Sequence, residues 1–215
     1  MDDILLRQNV LDELDFRPDV DASHIGVSAE NGVVTLSGHV GTYAEKIAAE
    51  EATKALTGVL AVADDVEVRL AGDPSTHDDQ VAQRALDSIA WSTTIPGGAV
   101  KVMVENGWVT LSGEVSWQYQ KSSAEDVVRN LYGVSGVTNA ITLKSQPQPV
   151  DVRERIKRAL ERSADVDSAA ITLLISDGAV TLEGTVDSWT ARDRAEAAVW
   201  SAPGVRTVVD NLAVK

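Results

Sequence analysis

The feature that most constrains this chain is one string that occurs three times. It reads ENGVVTLSGHV at 30–40, ENGWVTLSGEV at 105–115 and SDGAVTLEGTV at 176–186. Gly32, Gly107 and Gly178 are spaced by 75 and then 71 residues. The same offsets carry Gly38 to Gly113 to Gly184, and Ala49-Glu50 to Ala124-Glu125 to Ala195-Glu196. They also carry Gly58-Val59 to Gly133-Val134 to Gly204-Val205. A register that persists through whole units means one folding unit used three times. The expected domains are 1–72, 73–147 and 148–215. Their joints, AGDPSTH (71–77) and SQPQPV (145–150), are short, and their Pro and Gly break regular structure.

Each unit carries the same succession of patterns. A first helix is expected from Leu6, Val10, Leu11 and Leu14, from Val81, Ala85, Leu86 and Ile89, and from Val152, Ile156 and Leu160. Asp151 followed by Glu154 has the spacing of a capping box. An alternating strand follows: Ile25/Val27, Val100/Val102/Val104 and Ile171/Leu173/Ile175. Asn-Gly or Asp-Gly then supplies the positive φ angles of a tight hairpin. The return strand turns Val34/Leu36, Val109/Leu111 and Val180/Leu182 one way and its threonine the other. An Ala-rich second helix is expected over 42–56, 117–131 and 188–201, where small residues permit close approach to a sheet. A last strand ends each unit, with Val66/Val68, Ile141/Leu143 and Leu212/Val214 inward. The strand–helix–strand crossover should be right-handed, which makes the last strand parallel to the second. The predicted fold class is α+β: three tandem αββαβ domains, each a three-stranded mixed sheet with two helices on one face. About 70 residues is a marginal size for an independent core, so mutual support between units is expected.

Those elements and motifs resemble the BON family, named for bacterial osmotically induced and nodulation-related proteins. The resemblance rests on the NG-x-VTLSG-x-V hairpin, the Ala-Glu pair of the second helix, and the endings GVLAVADDVEV, GVSGVTNAITL and GVRTVVDNLAV. It covers essentially the whole chain, three times over. It implies non-enzymatic domains associated with osmotic or envelope stress. Relatives implied by this resemblance include a two-domain periplasmic protein, others that contact anionic phospholipid, and a cytoplasmic one that senses potassium.

Composition narrows the function classes. The 215 residues include no cysteine, which excludes disulfide frameworks and Cys-based metal sites. The formal charge of -14 repels phosphate backbones, so nucleic acid is not an expected partner. It also disfavours anionic membrane surfaces. The acidity is uneven: residues 1–72 hold five basic and 14 acidic side chains. The start MDDILLRQNV lacks the basic and apolar regions of a secretory signal. If Met1 is the natural start the expected location is cytoplasmic; a chain trimmed of a leader belongs in the periplasm. GVSG (133–136) fits the letters of a nucleic-acid backbone clamp but has no Lys or Arg, and a turn is the better reading.

Catalytic chemistry finds no foothold. His24, His39 and His77 do not recur at equivalent positions, and no HExxH, GxSxG or phosphate-binding loop is present. Solvated surface histidines are expected, and an enzyme is not. No cofactor and no dedicated metal site is expected. The recurring polar feature is a group placed at the start of the last strand: Asp64, Asp65, Asn139, Asp210 and Asn211. An Asx turn is the expected role, and a hard-cation site for an ion such as potassium or calcium is the functional alternative. RERIKRALER (153–162) places Arg153, Arg155, Lys157, Arg158 and Arg162 on one helix. A solvated face with Glu–Arg pairs is expected there, with an acidic partner or lipid-headgroup surface as the alternative.

Helices on one face leave the other sheet face open. The middle unit puts Lys101, Met103, Trp108, Thr110 and Ser112 there, and Met103 and Trp108 should lie near one another across the hairpin. Trp117, Tyr119, Trp189 and Trp200 fall on second helices, and some of them are expected inward or at domain junctions. A large apolar pair on an open face marks a contact surface. Docking of a neighbouring repeat on this face is the first expectation, and an external protein partner or self-association the second.

Overall fold

In a computed structural model the described residues are 2–70, 78–145, 152–163 and 167–215. The two joints, apart from Ser145, lie outside them, as do His77 and the Asp151 half of the expected capping box. The first repeat is α1 (Asp3–Phe16), β1 (Ile25–Glu30), β2 (Val33–Val40), α2 (Tyr43–Lys54) and β3 (Ala61–Val68). The second is α3 (Asp78–Trp91), β4 (Val100–Glu105), β5 (Trp108–Val115), α4 (Gln118–Arg129) and β6 (Gly136–Leu143). The third is α5 (Val152–Glu161), β7 (Ile171–Ser176), β8 (Ala179–Val186), α6 (Trp189–Trp200) and β9 (Thr207–Val214). By compactness the chain divides into two units. One is Met1–Val115 with Tyr119–Thr142, and the other is Ser116–Gln118 with Leu143–Lys215.

Each repeat is the expected α+β unit. The sheet orders are β1-β2-β3, β4-β5-β6 and β7-β8-β9. The hairpins are antiparallel, and β3 and β9 run parallel to β2 and β8. One face of each sheet is buried under both helices. In the first repeat Leu6, Val10 and Leu14 of α1 and Ala49 and Ala52 of α2 form one core with Val27, Val34, Leu36 and Val66. Alternation of apolar and polar residues along each strand dictates which face that is. The second helices begin one residue later than expected because Thr42 and Ser188 are caps. Thr42 Oγ1 accepts from the Glu45 N–H and the Glu45 carboxylate accepts from the Thr42 N–H, a complete capping box. One expected core residue is corrected: Leu86 is 43% exposed on the flank of α3 rather than inward.

Two glycines per hairpin are required by geometry. Asn31-Gly32, Asn106-Gly107 and Asp177-Gly178 all have positive φ, as a two-residue hairpin turn requires. The turn is also tied to the first helix. The Asn31 and Gly32 N–H groups donate to the Asp3 carboxylate at 2.9 and 3.2 Å, and Asn106 and Gly107 donate to Asp78 at 2.8 and 2.9 Å. In the third repeat the Asp177 carbonyl of the turn accepts from Arg206. The second glycine sits deeper in the return strand. Gly38, Gly113 and Gly184 have φ of +110°, +136° and +134°, and a Cβ at each would overlap a backbone carbonyl oxygen, of His24, Ala99 and Ala170. That carbonyl belongs to the chain entering the first strand, so the glycine of VTLSG lets two backbones touch. Gly113→Ala is therefore expected to destabilise by on the order of 3 kcal/mol. Gly97→Ala, where a Cβ meets nothing within 4 Å, is expected to change little. Urea unfolding of the two variants against the parent checks the contrast.

Candidate interaction surface

The three open sheet faces differ. In the first repeat the row across the sheet is Ser28, Thr35 and Ala63. In the third it is Leu174, Thr181 and Val209, with Leu174 and Val209 exposed. The middle repeat carries the aromatic. Trp108 is 50% exposed and Met103, on the adjacent strand, 60% exposed.

The reason a tryptophan fits at 108 lies on another strand. A Cβ at Gly136, the first residue of β6, would overlap the six-membered ring of Trp108. The indole therefore lies over a glycine, and its Nε1–H donates to Thr138 Oγ1 at 2.9 Å. The corresponding residues elsewhere are Ala61 beneath Val33 and Thr207 beside Ala179. Trp108 is held in one orientation by a glycine floor and a threonine acceptor. Gly136 is a supporting residue that the sequence reading assigned to a turn. The only signal for it was its pairing with Trp108 at equivalent repeat positions. Lys101 is exposed on the same face.

The polar group expected at the start of the last strand is displaced. Asp64, Asn139 and Asp210 each stand fourth in their strands, on the side facing the second helix, while Asp65 and Asn211 are exposed on the other face. The Asx role is present in all three repeats: Asp64, Asn139 and Asp210 accept from the N–H of Val66, Ile141 and Leu212 at 3.0, 3.3 and 2.9 Å. The other side-chain atoms hold the second helix. Lys46 is 3.2 Å from Asp64 Oδ2, and Arg192 Nε is 2.7 Å from Asp210 Oδ2. In the middle repeat Asn139 Nδ2 donates to the Lys121 carbonyl and to Glu125 at 2.9 and 3.0 Å. Protein cations stand at two of the three carboxamide or carboxylate positions. Among the described residues no three His, Asp or Glu side chains are grouped to hold a metal ion.

The basic helix is mostly engaged. Arg153 donates to the Leu173 carbonyl at 2.7 Å, Arg158 to the Glu154 carbonyl at 3.2 Å, and Lys157 lies 4.0 Å from Glu161. Arg155 has an interaction of its own, and Arg162 is exposed. Of the histidines, expected as solvated surface groups, His24 and His39 form a pair. The rings of His24 and His39 are 4.5 Å apart, and Asp21 accepts the Ser23 hydroxyl that also meets His24 Nδ1. The Ser23 hydrogen bonds hold the Asp21 carboxyl below the usual carboxylate range. Among the expected aromatics, Trp117 is half-buried, Tyr119 is exposed, Trp189 lies 4.9 Å under the Arg192 guanidinium, and Trp200 packs on the core of its repeat. Phe16 and Trp91 end the first helices of the first two repeats and are 84% and 87% exposed. Sequence reasoning missed them because each falls just past the apolar stripe.

The first two repeats meet where α2 lies against α4 and the start of β6. Arg129 lies 3.4 Å from Glu51, and the Val137 N–H donates to the Tyr43 phenol. Burial pushes the Tyr43 phenol up, and the charge of Glu125 adds to it.

Comparison with known proteins follows the same division. The family described as BON domain matches residues 2–69, 77–145 and 150–215. Osmotically-inducible protein Y of Escherichia coli is 32% identical over 153 residues, which is 67% of this chain and 74% of that protein. Among solved structures, the C-terminal domain of CdsD, the structural protein of the type III secretion system of Chlamydia trachomatis, aligns over the full length of both chains. Its identity is 17% and its TM-score 0.27.

Two outcomes are expected. Gly136→Val should lift the indole from its floor, so the Trp108 Nε1–H resonance should move away from its hydrogen-bonded position. Thr138→Val should move the same resonance and no other indole signal. The raised Tyr43 phenol also predicts alkaline behaviour. Above about pH 10 the unfolded chain releases this proton more readily than the folded one, so stability falls as pH rises. Unfolding midpoints measured across that range should flatten in Tyr43→Phe.

Proposed function

The chain belongs to the BON domain family, and from that premise we propose that it is a non-enzymatic protein of the osmotic stress response that acts by binding other proteins. The stress association is carried over from the similarity to osmotically-inducible protein Y. The binding role is argued from one observation: Trp108 and Met103 stand exposed together on a flat sheet face, with the indole fixed over Gly136. A large aromatic held in one orientation loses little freedom on binding, which is what makes tryptophan an interface anchor. The partner is a protein presenting an apolar side chain to the indole and a hydroxyl or carboxylate to Lys101. Catalysis has no part in this reading. The histidine pair and the recurring Asp or Asn side chains are spent on local hydrogen bonds, as their geometry describes.

The test is comparative retention. The full chain, immobilised, should retain a stoichiometric protein from osmotically stressed bacteria. Trp108→Ala should weaken that retention by about 2 kcal/mol, roughly thirtyfold in affinity. Phe16→Ala should not. Equal retention by the parent and Trp108→Ala sinks the assignment of this face.

A further inference from the structure

The middle repeat differs from the other two along one edge of its sheet. In the first repeat Arg7, on α1, reaches over the outer edge of β1 and donates from Nε to the Val27 carbonyl at 2.9 Å. In the third, Arg153 does the same at the Leu173 carbonyl on β7, at 2.7 Å. The corresponding helix residue in the middle repeat is Ala82, and the corresponding carbonyl is that of Val102. Among the described residues no side chain donates to it. Val102 is half-buried where Val27 and Leu173 are each 8% exposed. Alternation in an antiparallel pair turns the backbone groups of Val102 and Val104 outward along with that carbonyl. Strand β4 is therefore an unpaired edge.

The helix above that edge has changed as well. Ala82, Leu86 and Ala90 recur at every fourth residue, so they share one flank of α3. The corresponding residues are Arg7, Leu11 and Asp15 in the first repeat and Arg153, Lys157 and Glu161 in the third. Only the middle flank is wholly apolar, and Leu86 on it is exposed. On the open face, β4 presents Lys101, Met103 and Glu105 in alternation, and neither charge has an ion-pair partner among the described residues.

We propose that this edge is an interface with a second copy of the chain, in which β4 pairs antiparallel with β4 of the partner about a two-fold axis at Met103. A two-fold interface must be self-complementary, and this strand is. Centred on Met103, Lys101 faces Glu105 of the partner subunit, twice over, and Met103 faces its own copy. Val102 and Val104 then exchange the backbone bonds that the edge lacks. Centring on Val102 instead sets Lys101 against Met103 and leaves Glu105 unmatched, so the charges choose the register. The pairing joins two three-stranded sheets into one. It also brings the two apolar flanks of α3 together, where Ala82 and Ala90 permit close approach. Strand β1 offers Gly26, Ser28 and Glu30, and β7 offers Thr172, Leu174 and Ser176; neither series is self-complementary in charge. The inference goes beyond the protein-binding reading and does not depend on it, because it uses the edge of the sheet rather than Trp108.

Sedimentation equilibrium of the full chain tests it. The parent chain is expected to dimerise at concentrations up to about 100 µM. Ala82→Arg, which restores the residue type of the other repeats, should raise the dimer dissociation constant by roughly thirtyfold or more. Leu86→Lys is a second variant at an exposed position and should act the same way without unfolding the repeat. Lys101→Glu should weaken the dimer about tenfold, and adding Glu105→Lys should restore it. Trp108→Ala should leave the dimer intact, which separates this test from that of the partner-binding face. A monomeric parent overturns the proposal, as does a dimer indifferent to Ala82→Arg and Leu86→Lys, or one that the charge swap fails to rescue. Binding of a foreign extended peptide to β4 by a parent chain that stays monomeric also overturns it.

Discussion

A three-stranded sheet has two edges for one central strand, and most of the side chains that distinguish these repeats answer to that. Edge backbone must be solvated, covered or paired. This chain covers it with basic side chains from the helices above. Arg7 and Arg153 reach the outer edge of the hairpin in the first and third repeats. Lys46 and Arg192 reach the opposite edge, donating to the Val66 carbonyl at 2.6 Å and the Asp210 carbonyl at 3.3 Å. Each of these contacts also fixes where a helix lies over its strand. The chain has 19 basic and 33 acidic residues. Four of those cations are committed to sheet edges, which leaves the remaining surface still more acidic than the net charge suggests.

The contact between second helix and last strand shows how one constraint admits two chemistries. In the outer repeats a strand carboxylate meets a helix cation, and the side chains are only 13–24% exposed. A charge so enclosed depends on its partner, since removal of either leaves the other unpaired. The middle repeat inverts the roles. Its strand carries the neutral Asn139, whose amide donates to the helix Glu125 and to the Lys121 carbonyl. All three keep the bond from side-chain oxygen to the N–H two residues on. The backbone bond is the constant, and the charge arrangement is the variable.

What the sequence made legible follows from the range of the forces involved. Turns depend on φ at one or two residues, so Asn31-Gly32 and its counterparts could be placed from the letters. Alternation is a property of each strand alone, so the core face, the open face and the exposed Trp108 and Met103 could be placed too. The misses all involve a second element. Gly136 reads as a turn residue until Trp108 is seen lying over it. Asp64 and Asp210 read as strand openers because their Asx bonds are local, whereas their position under a helix is not. Arg153 reads as part of a basic face until Leu173 is found beneath its guanidinium. Leu86 fits the apolar stripe by spacing, but the stripe is wider than the groove that receives it.

Repetition turns these misses into an argument about where function sits. Three copies of one unit share every residue that the unit needs: the two hairpin glycines, the Asx position and the inward Val–Leu pair. A position that departs in one copy is free of that need. Four departures in the middle copy fall into two groups on one sheet. Trp108 and Gly136 lie together on the open face, and Ala82 and Ala90 share one flank of α3 over one edge of the same sheet. Each pair consists of a gain and the loss that accommodates it. An indole appears where a side chain has been reduced to hydrogen, and an apolar flank appears where an edge-covering arginine has been reduced to a methyl group. Drift alone gives no reason for such losses and gains to coincide. A surface that binds requires both, because a partner needs something to touch and room to reach it.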